Sequence, residues 1–262
     1  MPSIKEIVGK LIVMFKIVIP DSKTWKNLMN AISTLIEEAS FDVTPEGMKL
    51  RAMDPSHVAM VDFEYPKTAF QEYECPEPTK LCVNIGDMLK LLKRVEAGES
   101  LELSLDKAAG RLSMKISGKY TRRFSLPLLQ PSTTEIPTPK ISFDARVKLD
   151  ADSLSDAIAD IATVSEQVKF EANSERLTLS GVGETGNVTI DFEKDSSSVI
   201  EFQVQQESKA LYGISFLEDM IKAGKASSKI STIEFSTDKP VKIDFELPLQ
   251  GKLTYYLAPR IE

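Results

Sequence analysis

The sequence predicts an α+β fold made of two similar domains, and three observations carry that prediction. Long stretches alternate apolar and polar residues, as in Met48-Lys49-Leu50-Arg51-Ala52-Met53, Leu101-Glu102-Leu103-Ser104-Leu105, Leu112-Ser113-Met114-Lys115-Ile116, Val188-Thr189-Ile190-Asp191-Phe192 and Val241-Lys242-Ile243-Asp244-Phe245. That period of two is the mark of antiparallel strands buried on one face. Four short stretches repeat apolar residues at helical spacing instead. Finally, segments recur in the same order about 130 positions apart. Val61-Asp62-Phe63-Glu64 matches Ile190-Asp191-Phe192-Glu193 at an offset of 129, residues 85–93 match 217–225 at 132, and Phe124-Ser125-Leu126-Pro127 matches Tyr256-Leu257-Ala258-Pro259 at 132. Recurrence at a fixed spacing is the signature of a duplicated unit.

Taken in chain order, the first helix is expected behind an Asp21-Ser22 cap, with Leu28, Ala31, Ile32, Leu35 and Ile36 on one face. A second is expected over 85–96. The third follows an Asp152-Ser153 cap and carries Leu154, Ala157, Ile158, Ile161 and Ala162; the fourth covers 215–225. Roughly sixteen strands fill the rest, and helices covering one side of antiparallel sheets make an α+β arrangement. Trp25 and the phenylalanines fall on apolar faces and read as core. Between the halves, residues 128–141 hold Pro131, Pro137 and Pro139, which favour an extended, semi-rigid linker, while Leu129 and Ile136 within it favour packing on a neighbouring surface. The expected boundaries are an extension over 1–13, a first domain over 14–127, the linker over 128–141 and a second domain over 142–262.

Composition narrows the function classes. The 262 residues include 32 Lys+Arg and 39 Asp+Glu, for a net charge of −7, and 42% are apolar, which fits a folded acidic protein rather than a disordered one. No apolar run reaches the ~18 residues of a membrane helix, since Lys10 and Lys16 interrupt the N-terminal one, and no cleavable signal pattern is present, so cytosolic residence is the expectation. Cys75 and Cys82 supply neither a disulfide framework nor a zinc spacing, and His57 is the single histidine. No GxxxxGK[ST] loop occurs, so no nucleotide chemistry is expected of this chain, and no metal or cofactor.

Ala52-Met53-Asp54-Pro55-Ser56-His57-Val58, the proline-bearing linker and the terminal Leu253-Thr254-Tyr255-Tyr256-Leu257-Ala258-Pro259-Arg260-Ile261-Glu262 together resemble the proliferating cell nuclear antigen family of DNA sliding clamps, in its archaeal style. The resemblance runs from about Met14, where Met14-Phe15-Lys16 matches the usual start, to Glu262. Residues 1–13 then reflect an upstream start codon or an appended segment. The resemblance implies a duplicated clamp fold with helices inside and sheets outside, three chains closing head to tail into a pseudo-sixfold ring, and double-stranded DNA encircled without sequence readout. It implies no catalysis. It also implies an ATP-dependent clamp loader (replication factor C) and client enzymes, namely DNA polymerase, flap endonuclease and DNA ligase, that attach through short peptide motifs. The residence implied is the archaeal cytosol, or the nucleus in a eukaryote.

Three residue sets follow. Lys23, Lys26, Lys90, Lys93, Arg94, Lys222, Lys225 and Lys229 lie on helix faces that would make loose phosphate contacts; a merely solvated face is the alternative reading. Met53, His57, Val58, Met60, Leu129, Ile136, Pro240, Tyr256, Ala258, Pro259, Arg260 and Ile261 are implied to form a groove for a helical turn with aromatic anchors. Lys119, Arg122 and Arg123 of one chain would pair with the strand holding Asp191, Phe192 and Glu193 in the next, opposite charges favouring a head-to-tail contact. One feature departs from eukaryotic relatives. Asp152, Asp156 and Asp160 form an acidic face where those carry arginines, so either that helix stays away from DNA or a lysine-bearing partner chain compensates. A subunit of a mixed or repair-specialised ring is therefore a second reading. A third is an enzyme using Asp54 or Glu64 as acid and base.

Overall fold

The computed structural model describes residues 13–106, 110–131 and 136–261. Apart from Val13, which opens the first strand, the expected N-terminal extension lies outside the described residues, as do linker residues 132–135. Eleven elements run in order through the first half: β1 (Val13–Ile19), α1 (Ser22–Ser33), β2 (Glu38–Thr44), β3 (Gly47–Met53), β4 (Ala59–Pro66), β5 (Glu72–Glu74), β6 (Thr79–Asn84), α2 (Ile85–Leu91), β7 (Ser100–Asp106), β8 (Arg111–Ser117) and β9 (Thr121–Pro127). The same succession then repeats: β10 (Ala145–Asp150), α3 (Ala151–Ala162), β11 (Gln167–Ala172), β12 (Arg176–Gly183), β13 (Gly186–Glu193), β14 (Val199–Val204), β15 (Ser208–Gly213), α4 (Ile214–Lys225), β16 (Ile230–Phe235), β17 (Val241–Glu246) and β18 (Lys252–Leu257).

The chain groups into two compact units, Met1–Arg51 with Phe63–Glu135 and Leu249–Gly251, and Ala52–Asp62 with Ile136–Pro248 and Lys252–Glu262. The first holds the strand orders β5-β1-β7-β8-β9 and β4-β3-β2-β6, apart from the end of β3 (52–53) and the start of β4 (59–62); these belong to the second, which also holds β14-β10-β16-β17-β18 and β13-β12-β11-β15. Strand for strand, the two orders correspond. Within the second unit β18 also has β4 beside it, and Ala258 just past β18 donates to the Val58 carbonyl just before β4 (2.8 Å), so the two strands run antiparallel.

The helices are where the periodicity put them, with corrected ends. Helix α1 is capped by Asp21, whose carboxylate accepts from the Lys23 and Thr24 amides, and it buries Trp25, Leu28, Met29, Ala31 and Ile32. It stops at Ser33, so the buried Leu35 and Ile36 belong to the turn beyond it. Helix α2 ends at Leu91 rather than near residue 96. The cap of α3 is Asp150, which accepts from the Ser153 amide (2.8 Å) and hydroxyl (2.9 Å); Asp152, the expected cap, sits in the first turn, where a carboxylate favours the helix dipole.

The first unit's core centres on a chain of rings, Trp25, Phe41, Phe63, Tyr65 and Phe70, with centroids 5.2 to 6.4 Å apart. Phe170, Tyr212 and Phe235 form the corresponding cluster in the second. The edge-to-face pairs among them, Phe41–Phe63, Tyr65–Phe70, Phe170–Tyr212 and Phe170–Phe235, each add about 0.5–1.5 kcal/mol beyond their burial. Phe124, Phe143, Phe202 and Phe216 are only half-buried, contrary to the expectation that every phenylalanine is core.

The repeat is real, but its register differs from that read off the sequence. Cap residues Asn84 of α2 and Gly213 of α4 lie 129 apart, not 132. A shift of three is close to one helical turn, which leaves an apolar helical pattern almost in phase. For the last strands, Leu129 donates to the Cys82 carbonyl (2.9 Å) as Arg260 donates to that of Leu211 (2.7 Å), an offset of 131. That one-residue difference matters, because it pairs Phe124 with inward-facing Tyr255 rather than with Tyr256 on the opposite face.

Candidate functional site

The segments predicted to form a groove around Met53 and His57 are, in the second unit, a loop, a tail and a strand end. Where β3 ends, the chain makes a tight excursion through Asp54-Pro55-Ser56-His57-Val58 before β4. Asp54 is 5% exposed. One of its oxygens accepts from the amides of Val58 (2.9 Å) and Ala59 (2.7 Å), and the other from the Ser56 amide (2.9 Å) and hydroxyl. Its backbone amide meets the Ala59 carbonyl (2.9 Å), and its carbonyl receives the His57 amide (3.0 Å). This closes the loop while His57 holds a left-handed φ of 59°, a conformation unfavourable for a residue with a Cβ. Burial pushes the Asp54 carboxyl up, but the hydrogen bonds from Ser56, Ala59 and Val58 outweigh it and hold it below the ordinary range. A carboxyl lowered in this way stabilises the loop at all pH values above the unfolded value of about 3.9. Acidification is therefore expected to open the loop only as pH falls from there through the lowered value, read as the loss of protection of the Val58 and Ala59 amides.

The C-terminal tail runs past this loop. After the Ala258 to Val58 bond, Arg260 donates its amide to Leu211 of β15, and its guanidinium lies over Gly213, where an added Cβ would be 3.4 Å from Nε. The same edge of β15 holds the turn before Pro240: the Asp238 amide donates to the Lys209 carbonyl (3.1 Å), and the Tyr212 hydroxyl donates to the Lys239 carbonyl (2.8 Å). Burial drives the Tyr212 hydroxyl far above the usual phenol range, so it stays a donor at any working pH. Loop, tail and turn are thus tied to one another through β15. Met53, Tyr256, Ala258, Pro259 and Pro240 are half-buried beside exposed His57, Val58, Arg260 and Ile261, the last 94% exposed.

One member of the predicted groove set is covered, and another belongs to the other unit. Met60 is only 5% exposed although alternation places it on the β4 face of half-buried Asp62 and Glu64, opposite Val61, Phe63 and Tyr65, so it is covered rather than displayed. Leu129 lies in the first unit, bonded to Cys82. Ile136 is half-buried in the second. Leu211 and Gly213, which the sequence reading missed, carry no chemical signal; only the long-range hydrogen bond reveals them. The carboxylates offered for an enzyme are otherwise engaged, Asp54 by its four donors and Glu64 by Lys49 (3.0 Å).

The cations separate by unit. In the first, α1 packs beside α2, exposing Lys23, while half-buried Lys26 donates to the Lys93 carbonyl (3.2 Å) and Lys90 pairs with Asp87 (2.8 Å). Lys93 and Arg94 lie in the turn beyond α2, not on its face as expected. In the second, α3 packs beside α4, and Asp152 is bridged by Lys225 (3.4 Å) and Lys229 (3.5 Å). Those lysines hold its carboxyl below the usual range. Compensation for that aspartate therefore comes from the same chain. Asp156, Asp160 and Lys222 are exposed and form no ion pair among the described residues.

Two strand edges complete the picture. On β9, exposed Arg123 alternates with Arg122, which is folded back onto its own unit: its guanidinium pairs with Glu99, donates to the Arg94 carbonyl (2.8 Å) and lies 5.4 Å from the Tyr120 ring centroid. Lys119 is exposed in the preceding turn. On β13, Asp191 and Glu193 approach Arg176 at 3.7 and 3.6 Å, and Phe192 faces the core at 6% exposure. Arg122 and Phe192 are therefore not displayed as the charge-pairing scheme required. What the two edges do display is half-buried Phe124 on one and half-buried Val188 and Ile190 on the other.

Among the described residues no group of three or more His, Cys, Asp and Glu side chains is placed to hold a metal ion, and no helix is long and apolar enough to cross a membrane. A duplicated antiparallel fold, with a helix pair in each copy and a hydrogen-bonded loop and tail, defines a two-domain clamp architecture. The chain belongs to the proliferating cell nuclear antigen family: the model of that family's N-terminal domain matches residues 14–128 and that of its C-terminal domain residues 137–260. Among curated relatives, the DNA polymerase sliding clamp of Thermofilum pendens is 36% identical over 95% of this chain and 100% of its own length. That of Pyrococcus furiosus is 36% identical over 95% and 99%. The crystal structure of proliferating cell nuclear antigen from Thermococcus kodakaraensis superposes with a TM-score of 0.89 at 25% identity, covering 94% of this chain and all of that one.

Proposed function

We propose that this chain is a DNA polymerase sliding clamp: three copies close head to tail around duplex DNA and hold replication and repair enzymes through peptides bound in the groove. The observation that carries the reading is the repeat itself. Strand β18 is joined to β4 within the second unit, whereas their counterparts in the other copy of the repeat, β9 and β13, are both edge strands. A contact that occurs once within the chain can therefore recur between chains, and a heterologous contact of this kind closes a ring when its rotation permits.

The internal pair supplies the register. Ala258 opposite Val58 places Tyr255 opposite Val61; the Lys67 amide meets the Glu46 carbonyl as that of Lys194 meets Glu175, which sets β4 and β13 127 apart rather than the 129 read off the sequence, so the corresponding residues are Phe124 and Val188. Apolar side chains half-exposed at two edges would then cover each other, and both edges would be protected from stray pairing. Charge supports the same junction. Helix α2 packs beside β9 and α3 beside β13. The joined strands would bring Lys93 and Arg94 of one copy toward Asp156 and Asp160 of the next, and Arg123 diagonally toward Asp191. A cationic side meeting an anionic side on the same chain favours three identical copies over a mixed ring, and gives the aspartate face a role other than DNA contact.

Clamp domains 14–127 and 142–262, joined by 128–141, would each present a helix pair to DNA. Lys23 and Lys222, with no ion pair among the described residues, are the cations left for phosphate; Lys26, bonded to the Lys93 carbonyl, and Lys90, paired with Asp87, would have to exchange those partners, as would Lys225 and Lys229, held by Asp152. Changing the first four to alanine is expected to slow loading and flatten its dependence on salt, since fewer counterions are released. An unchanged slope would remove these lysines from the DNA path. The function itself is tested on primed circular DNA with a clamp loader of the replication factor C type, ATP and the cognate polymerase. Processive synthesis should depend on this chain, and the clamp should slide off once the circle is linearised. Met53→Lys with Ile136→Glu should abolish stimulation while sparing the ring; full stimulation would sink the groove. Flap endonuclease and DNA ligase are the other expected clients.

A further inference from the structure

We infer that Asp54 is the positioning residue of the peptide groove, holding the Asp54–Val58 loop so that the Val58 carbonyl meets the Ala258 amide and the loop and tail act as one surface. This rests on the groove reading above and adds to it the group that sets the groove's shape. Met53, His57, Val58 and the tail were singled out because they are displayed. Asp54 is not displayed: it is 5% exposed, and all four of its donors belong to the loop or the first residue of β4.

The geometry divides the labour between its two oxygens. Oδ2 takes the Ser56 amide and hydroxyl and so bends the chain after Pro55; Oδ1 takes the Val58 and Ala59 amides and so fixes the entry into β4. With the Ala59 amide drawn inward, the carbonyl of the same trans peptide, that of Val58, points away, and there it receives the Ala258 amide at 2.8 Å. The same closure keeps His57 in its left-handed conformation. Two residues on, Arg260 is anchored to Leu211. Between those anchors Pro259 has no amide hydrogen to offer, so the tail is held at two points whose spacing the loop defines. A peptide would then meet a surface already in its bound shape, which spares the ordering cost of binding.

The carboxylate chemistry makes the claim specific. In Asp54→Asn the amide nitrogen replaces one acceptor by a donor, so one of the two pairs of donors loses its acceptor while size and shape are kept. Asp54→Ala removes both. Ser56→Ala removes one donor only. The measurement uses the full chain and a fluorescein-labelled synthetic peptide carrying one helical turn with two aromatic side chains. Asp54→Asn is expected to weaken peptide binding about tenfold or more, as a buried donor left without an acceptor implies, with Ser56→Ala intermediate. Molar mass in solution and retention on circular DNA should not change. Amide exchange supplies the second readout: protection at Ala258 should fall in Asp54→Asn while protection in β17 stays at the wild-type level, which general destabilisation would not produce.

Wild-type peptide affinity together with wild-type Ala258 protection in Asp54→Asn overturns the inference. Should the wild-type chain fail to bind the peptide at all, the groove reading fails, and the exchange of Ala258 in Asp54→Asn still decides whether Asp54 couples loop to tail. If Asp54→Ala does not fold, Asp54→Asn and Ser56→Ala carry the test.

Discussion

Phe124→Asp is expected to convert the proposed trimer into monomers, so that light scattering gives 29.1 kDa where the parent should give three times that mass, about 87 kDa. Phe124 is half-buried on the edge strand β9, and its inward neighbour Leu126 is 3% exposed, so the strand keeps its anchor when Phe124 changes. Covering a phenylalanine in an interface contributes about 1.5–3 kcal/mol, and three junctions act together in a ring. The variant replaces that gain with a carboxylate that must be desolvated without a partner, a larger cost still. Val188→Asp should have the same effect from the other edge. The expected register is checked in the parent by cysteines at Ser125 and Asn187, which should cross-link between chains more efficiently than cysteines at Ser125 and Thr189. Monomers should keep a native circular dichroism spectrum and lose all polymerase stimulation on circular DNA. A variant that stays at about 87 kDa would place the junction on other strands.

The second large effect is on stability and lies far from any partner. Gly224→Ala is expected to destabilise the second unit by about 1–3 kcal/mol, the usual cost of overpacking a filled core, and to lower its melting temperature by several degrees. In an exposed helix the same change would stabilise by about 1 kcal/mol, because glycine is a poor helix former. The sign reverses here because a Cβ at 224 would sit 2.3 Å from the Phe245 ring. Phe245 is fully buried and packs edge-on against Tyr255, centroids 6.2 Å apart, so the ring has little room to yield. Calorimetry that finds Gly224→Ala more stable than the parent would show that α4 can lift from the sheet at little cost. The missing side chain is what lets α4 lie close on β17, with Lys222 kept on its outer side.

The class of fold was legible because two periodicities are physical. A half-buried strand must alternate and a one-sided helix must repeat every 3.6 residues, so Leu112-Ser113-Met114-Lys115-Ile116 and Leu154, Ala157, Ile158 and Ile161 betray their faces without any coordinates. The duplication was legible for the same reason, since two copies of one fold bury the same faces in the same order. The loop at Asp54 and the tail at Ala258 were recognisable as residue strings, and their family followed from them.

The alignment of the two copies was not legible, nor was the partner of any particular polar group. Periodicity fixes which face a residue takes but leaves register open: a slip of one turn kept α2 and α4 in phase at the wrong offset, and only the caps at Asn84 and Gly213 exposed it. Met60 keeps the face that alternation gives it, beside Asp62 and Glu64, yet is covered there instead of displayed. Arg122 reads as a cation for a neighbouring chain and instead spends its guanidinium on Glu99 and Arg94 of its own unit. Asp54 reads as an acidic residue in a surface motif and is the buried acceptor that closes the loop. By itself, then, the sequence determined the faces, the elements, the repeat and the family, because burial of apolar surface is written locally as spacing. Registers, helix ends, charge partners and the shape of the groove were decided by tertiary structure, because each depends on hydrogen bonds and contacts between residues that only folding brings within reach.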